Sequence, residues 1–239
     1  MIKQALEYLV NLKKPETIKV DERDYSTIDI EPVKEAECEA LKVYNLNALI
    51  TYLRENPDKL NNTKIVNIES PTRVVVESAL FGKFKQREKH IKADYSELTP
   101  DIYFGKYMDM EDFMIMLKSK FIESEELQNV ISIVGNVRNE AVTNYNDDGF
   151  SQQVVVKTGV VRVGQTLLPP RIKLKPFRTF IEVDQPESEF ILRARKTSLG
   201  VEFALFEADG GAWKKEAILN ISEYLQDALT DIENISILY

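Results

Sequence analysis

Two glycines stand where a strand would feed a helix, in the run Asp209-Gly210-Gly211-Ala212-Trp213-Lys214-Lys215. Main-chain N–H groups at a helix start lack intrahelical partners, and the helix dipole helps them attract anions. Lys214 and Lys215 fall in the first turn, where positive charge opposes the dipole. A phosphate seated at the turn would account for them. The opposing reading has Asp209 capping the helix and offsetting the lysines, with Glu216 helping. The run is not a Walker A loop, which needs a longer glycine-rich stretch ending in Gly-Lys-Ser/Thr. A second candidate is Arg171, Lys173, Lys175 and Arg178, cations with no acid among them and with Phe177 and Phe180 beside them. On a strand, residues 171, 173 and 175 share a face. Cations interleaved with aromatics can hold a nucleic-acid strand or a nucleotide. The plainer alternative is a solvated sheet face whose apolar side is Ile172 and Leu174. A third cluster, Lys83, Lys85, Arg87, Lys89 and Lys92 around Glu88, fits a positive patch or an edge strand blunted by lysines.

The acids offer less. Glu182, Asp184, Glu187 and Glu189 could hold magnesium or move protons. Glu187-Ser188-Glu189, however, lacks the Glu-X-Lys arrangement of metal-dependent nucleases, and the group reads as a charged turn around Pro186. Asn146-Asp147-Asp148-Gly149 has neither the spacing nor the terminal Glu of a calcium loop and reads as a turn. The single cysteine, Cys38, and single histidine, His90, cannot build a Cys/His zinc site, and one cysteine makes no intrachain disulfide. Glu37 and Glu39 flank Cys38 and oppose its thiolate. No catalytic motif stands out, so the expectation is a protein that is not an enzyme and needs no metal and no cofactor.

The elements that must position these residues follow from periodicity. Residues 2–12 carry apolar side chains at helical spacing up to Pro15, and Ile18, Val20, Ile28 and Ile30 suggest two short strands. Asn45 can cap a helix over 46–55, and 64–68, 73–80 and 83–93 form a predicted antiparallel meander with a hairpin near Phe81-Gly82. Asp109 and Ser124 each open a helix, the second ending at Gly135. From 153 onward the pattern is β-rich, with strands over 153–157, 160–163, 171–175, 178–183, 190–194 and 201–206 punctuated by prolines. A helix with Trp213, Ala217, Ile221, Tyr224, Leu225 and Ala228 on one face follows, then a strand over 235–239.

The order does not alternate βαβα, so the expected fold class is α+β, mainly antiparallel sheet with a few packed helices. At 239 residues, 44% hydrophobic and 29% charged, the chain can form one compact unit over 1–239. The best internal division lies in 135–152, near the polar loop 144–149, giving an N-terminal α+β lobe over 1–140 and a β-rich lobe with one helix over 150–239. The start has no signal-peptide pattern and no stretch is apolar enough to span a membrane, which points to the cytoplasm and to no membrane partner. A net charge of −8 argues against nonspecific duplex coating.

The run Leu174-Lys175-Pro176-Phe177-Arg178-Thr179-Phe180, followed by Glu182-Val183-Asp184-Gln185-Pro186-Glu187-Ser188-Glu189-Phe190, resembles the signature of the YfdQ-like proteins, an uncharacterised phage and prophage family. The segment from Ala204 to Gly211 fits the same pattern, and Met108-Asp109-Met110-Glu111-Asp112-Phe113 fits it more weakly. The resemblance implies a phage origin and a bacterial cytoplasm, and it assigns no residue a role. The resulting expectation is a non-enzymatic, homo-oligomeric binding protein acting during infection. Its anion site would draw on Gly210, Gly211, Lys214, Lys215, Arg171, Lys173, Lys175 and Arg178, and its partner would be nucleic acid or a phosphorylated small molecule. Alternatives are capture of a host defence or DNA-binding protein, for which the acidic charge would mimic DNA; a ring or shell assembly; and a magnesium-dependent hydrolase using Glu182, Asp184 and Glu189.

Overall fold

The computed structural model describes residues 3, 16–20, 23–26, 38–82, 85–137, 142–147, 152–158, 162–169 and 171–239. The chain divides into two compact units, Met1–Cys38 and Glu39–Tyr239. The expected division near 135–152 borders residues 138–141 and 148–151, which lie outside the described residues, as do Ile28, Ile30 and nearly all of the helix expected over 2–12. In the first unit β1 (Thr17–Val20) and β2 (Arg23–Ser26) form an antiparallel hairpin.

The second unit opens with β3 (Leu41–Val43) and α1 (Leu46–Glu55). The Asn45 side chain accepts the Ala48 N–H at 2.7 Å, and this cap starts α1 where the sequence predicts. β4 (Lys64–Ser70), β5 (Arg73–Ser78) and β6 (Lys89–Asp94) make the expected antiparallel meander. Then come β7 (Met108–Asp109), α2 (Met110–Lys120) and α3 (Glu125–Asn136), the helices capped by Asp109 and Ser124. β8 (Val142–Asp147), β9 (Gln152–Thr158) and β10 (Arg162–Leu168) form one antiparallel sheet. β11 (Ile172–Leu174), β12 (Ser188–Thr197), β13 (Gly200–Glu207), α4 (Trp213–Leu229) and β14 (Ile235–Leu238) complete the unit.

The fold is α+β. One sheet runs β11-β12-β13-β7, and α2 and α3 lay Phe113, Leu117, Leu127 and Val130 on its Leu174, Phe190, Leu192 and Phe203. The other runs β14-β4-β5-β6-β3, with α1 and α4 packing Leu49, Leu53, Ile221 and Leu225 against Val66, Val76 and Ile91. This sheet is mixed, because β14 joins β4 and β3 joins β6 in parallel. No helix among the described residues is long and apolar enough to cross a membrane.

Four local expectations need correction. Residues 178–183 are not a strand. Phe180 and Val183 leave the sheet of β11 and β12 to enter the other core, so the segment has no neighbouring ladder. The buried Gln185 amide substitutes for that ladder. Its Oε1 accepts the N–H groups of Arg178 (2.9 Å) and Thr179 (3.1 Å), and its Nε2 donates to the Phe180 carbonyl at 2.9 Å. The strand expected over 83–93 begins only at Lys89, after a turn closed by the Phe81–Gln86 bridge, and it lies between β5 and β3 rather than at an edge. Gly135 does not end α3, which runs to Asn136 and stops as Val137 turns into the core. The polar run from Asn144 belongs to β8 through Asp147, since main-chain pairing with β9 is indifferent to side-chain polarity.

Charge is placed with equal care where β5 meets β6. Asp94, 3% exposed, accepts from Arg73 at 3.0 Å, Lys92 at 2.8 Å and the Ser96 hydroxyl at 2.5 Å. Burial pushes its carboxyl up, but the bonds from Lys92 and Ser96 and the charge of Arg73 outweigh this and hold it well below the usual carboxylate range. A depressed folded-state value means stability present at neutral pH and lost on acidification below about pH 4. Asp94→Asn is expected to lower stability at pH 7 by about 2 kcal/mol and to flatten its fall between neutral and acid pH, as read by urea unfolding across pH. Gln185→Leu, which strands several buried main-chain groups, is expected to lose about 2–4 kcal/mol in the same assay at pH 7.

Candidate functional site

The glycine turn forms as expected between β13 and α4. Gly210 (φ +63°) and Gly211 (φ +82°) take left-handed conformations that side chains disfavour, and the chain reverses there into Trp213. The turn's anion, however, is supplied by the protein. One oxygen of Asp209 accepts the Gly211 N–H at 3.0 Å and the other accepts the Ser188 hydroxyl at 2.6 Å. Burial raises the Asp209 carboxyl, but these bonds and the charge of Arg178 prevail and hold it below its ordinary value. The Ala212 N–H is taken by the Asp209 carbonyl at 3.2 Å. Lys214 and Lys215 are exposed.

Arg178 lies beside this turn at 6% exposure. Its guanidinium stacks 4.0 Å from the Trp213 ring centroid, donates to Glu207 at 2.9 Å and donates to the Ser188 hydroxyl. Its Nε is buried without a hydrogen-bond partner. Burial pulls the guanidinium down to about 10, against the pull of Glu207 and Asp209, and it remains charged at neutral pH. Arg178, Gly210, Gly211 and Lys214 do converge on one cleft of about 490 Å³, also lined by Trp213 and Glu207. Glu207 and Asp209 answer Arg178, the buried cation of this cleft, while Lys214 Nζ stands at the surface 5.9 Å from the Trp213 ring centroid.

The other predicted cations stand apart from it. Residues 171, 173 and 175 share an exposed face, with Ile172 and Leu174 buried beneath, and the β11–β12 register sets Glu189 opposite Lys173. Arg171 pairs with Glu189 at 2.5 Å and Lys173 with Glu187 at 3.6 Å, while Lys175 is exposed. In the third cluster Lys92 serves Asp94, Lys89 stands 3.8 Å from Glu77, Arg87 donates to the Ser78 carbonyl, and Lys83 lies outside the described residues. The carboxylates of the hydrolase reading do not gather either. Glu182 accepts the Leu46 N–H at 2.8 Å and so supplements the cap of α1, whereas Glu189 is held by Arg171. Among the described residues no three His, Cys, Asp or Glu side chains are placed to hold a metal ion.

A cleft that the sequence reading did not single out is less neutralised. The loop before β7 carries Tyr103-Phe104-Gly105-Lys106-Tyr107, and with Ile115, Met116 and Lys120 of α2 it encloses about 420 Å³. Gly105 (φ +70°) turns the loop. Its N–H donates to the Leu205 carbonyl at 2.6 Å, and its left-handed backbone, rather than crowding by the Phe206 ring, is what favours glycine there. Lys106 Nζ stands 4.9 Å from the Tyr103 ring centroid and Lys120 Nζ 5.4 Å from it. Arg195, paired with Glu202, covers the Tyr107 ring at 4.1 Å. Lys120 donates to the Asp101 carbonyl. Neither Lys106 nor Lys120 has a carboxylate partner among the described residues, and Asp112 is the one acid in the lining. The interleaving of tyrosine, glycine and lysine over 103–107 was the available signal.

Comparison with protein-family models, with curated proteins and with solved structures gives no match to the chain.

The two clefts respond differently to mutation. Arg178→Ala removes a buried cation from Glu207 and Asp209 and is expected to destabilise the fold by about 3–5 kcal/mol. Lys214→Glu combined with Lys215→Glu is expected to change stability by less than about 1 kcal/mol. Urea unfolding of the two variants checks both expectations.

Proposed function

We propose that the protein is a non-catalytic binding protein for a phosphate-bearing ligand with a planar ring, a nucleotide or one unit of single-stranded nucleic acid, taken in the cleft of Tyr103 and Tyr107. The observation that carries this reading is the pair Lys106 and Lys120, both over the exposed ring of Tyr103 and neither matched by a carboxylate among the described residues. A base stacks on a tyrosine face, and the ammonium groups it displaces turn to the phosphate. Ile115 and Met116 supply an apolar wall, and a cleft of about 420 Å³ lies within the range of small-ligand sites. This relocates the anion site foreseen at the glycine turn, where Asp209 already fills the role of the anion. The YfdQ-like resemblance of 174–190 supports a phage origin and a bacterial cytoplasm, where nucleotides and single-stranded intermediates are abundant ligands.

Calorimetric titration with GTP, inorganic phosphate and an oligothymidylate tests the reading. GTP or the oligonucleotide is expected to bind and phosphate alone to bind far more weakly. Tyr103→Ala is expected to weaken binding about tenfold or more, and Lys106→Ala to reduce its salt dependence. Absence of binding by all three probes, or binding indifferent to Tyr103→Ala, overturns the reading.

A further inference from the structure

The sheet β14-β4-β5-β6-β3 has two edges, and they are built differently. β3 is three residues long and carries Lys42, paired with Glu97 at 2.5 Å, a short and charged edge of the kind that resists pairing. β14 and the residue after it read Ile235-Ser236-Ile237-Leu238-Tyr239, with no charged side chain and no proline. Leu238 is 51% exposed and Tyr239 64% exposed.

The parallel register with β4 decides which main-chain groups of this edge are free. The Lys64 N–H donates to the Asn234 carbonyl at 2.9 Å, and Ile235 stands opposite Lys64. Residues 234, 236 and 238 therefore turn their N–H and C=O groups to β4, and 235, 237 and 239 turn theirs outward. No other described strand takes them up. The same alternation puts the side chains of 235, 237 and 239 on one face. That face is the α4 side, where Ile235 and Ile237 border a groove of about 330 Å³ with Gln226, Leu229, Thr230 and Ile232.

We propose that β14 pairs antiparallel with β14 of a second copy of this chain, about a two-fold axis through Ile237, so that Tyr239 of each copy enters the groove beside α4 of the other. In this register Ile237 exchanges main-chain hydrogen bonds with its symmetry mate, and Ile235 exchanges them with Tyr239 of the partner subunit. Every outward group of the strand is then bonded. Residues directly opposite in an antiparallel pair point to the same face, so the partner subunit's Tyr239 lies beside Ile235, at the groove. Charge favours this surface. A chain of net charge −8 repels its own copy over most contacts, and the strip 235–239 brings no charged side chains together. The occupant is a second copy because the edge is complementary to itself in hydrogen bonding, carries an exposed tyrosine at one end and a groove at the other, and brings no charged side chain against its own copy.

Sedimentation of the full chain over a wide concentration range tests the proposal. A reversible monomer–dimer equilibrium is expected, with amide exchange at Ile237 slowing as the dimer fills. Ile237→Pro deletes an outward N–H that the fold itself does not use, which an edge strand tolerates, and it is expected to leave the protein folded and monomeric. Tyr239→Lys, which leaves β14 intact, is expected to weaken the dimer at least tenfold, and it serves as the deciding variant if the proline disturbs folding. A wild-type chain that stays monomeric at all concentrations overturns the proposal. So does a dimer whose strength neither substitution alters.

Discussion

A guanidinium buried in an acidic protein has to be held from several sides, and Arg178 is held by the residues that join the two halves of the larger unit. Its charge cannot be left without partners at 6% exposure, so Glu207 at the end of β13, Ser188 at the start of β12 and the face of Trp213 at the start of α4 are drawn around it. β12 and β13 carry Phe190 and Phe203 into one core, and α4 carries Ile221 and Leu225 into the other. The direction in which α4 leaves the sheet is thereby tied to one side chain. A lysine would keep the charge without the planar fork that reaches Glu207 and Ser188 together while stacking on an indole. The same geometry explains why the glycine turn offers little to an external anion. Asp209 adds its charge to the surroundings of Arg178, and its two oxygens are taken by the Gly211 N–H and the Ser188 hydroxyl.

Much of this architecture is local and was therefore legible. Asn45, Asp109 and Ser124 cap the helices they precede, since an N-cap acts over three residues and needs nothing from the rest of the chain. The meander β4-β5-β6 and the terminal strand follow from alternation and turn residues. What could not be read depends on distant neighbours. Glu182 reaches the first turn of α1 from 136 residues away. Gln185 replaces a sheet ladder with a single amide, a role that composition does not mark. Arg171 and Lys173 looked like free cations because no acid lies among them in sequence, yet the register with β12 brings Glu189 and Glu187 across. The cleft of Tyr103 was half legible. Its loop pattern lies in five consecutive residues, but Lys120 arrives at the far end of α2 and Arg195 on β12.

Among the described residues, cations matched by carboxylates can be told from cations that are not. The first kind sit against carboxylates, as Arg73 and Lys92 do on Asp94 and Arg178 does on Glu207. Lys106 and Lys120 are of the second kind, resting on an aromatic ring that gives them a direction without cancelling their charge. At physiological salt the Debye length is about 8 Å, so a small anion entering the cleft responds mainly to these lysines and to Asp112, and little to the net −8 of the whole chain. Lowering the salt lengthens that reach. It strengthens the local attraction and the global repulsion together, so affinity should rise less steeply at low salt than the number of contacted phosphates alone requires. On so acidic a chain a surface whose cations were all paired would bind an anion no more tightly as salt falls, and a uniformly basic protein would show a steep and unbroken slope. The curvature of binding against salt is thus a physical signature of isolated lysines set into an acidic protein.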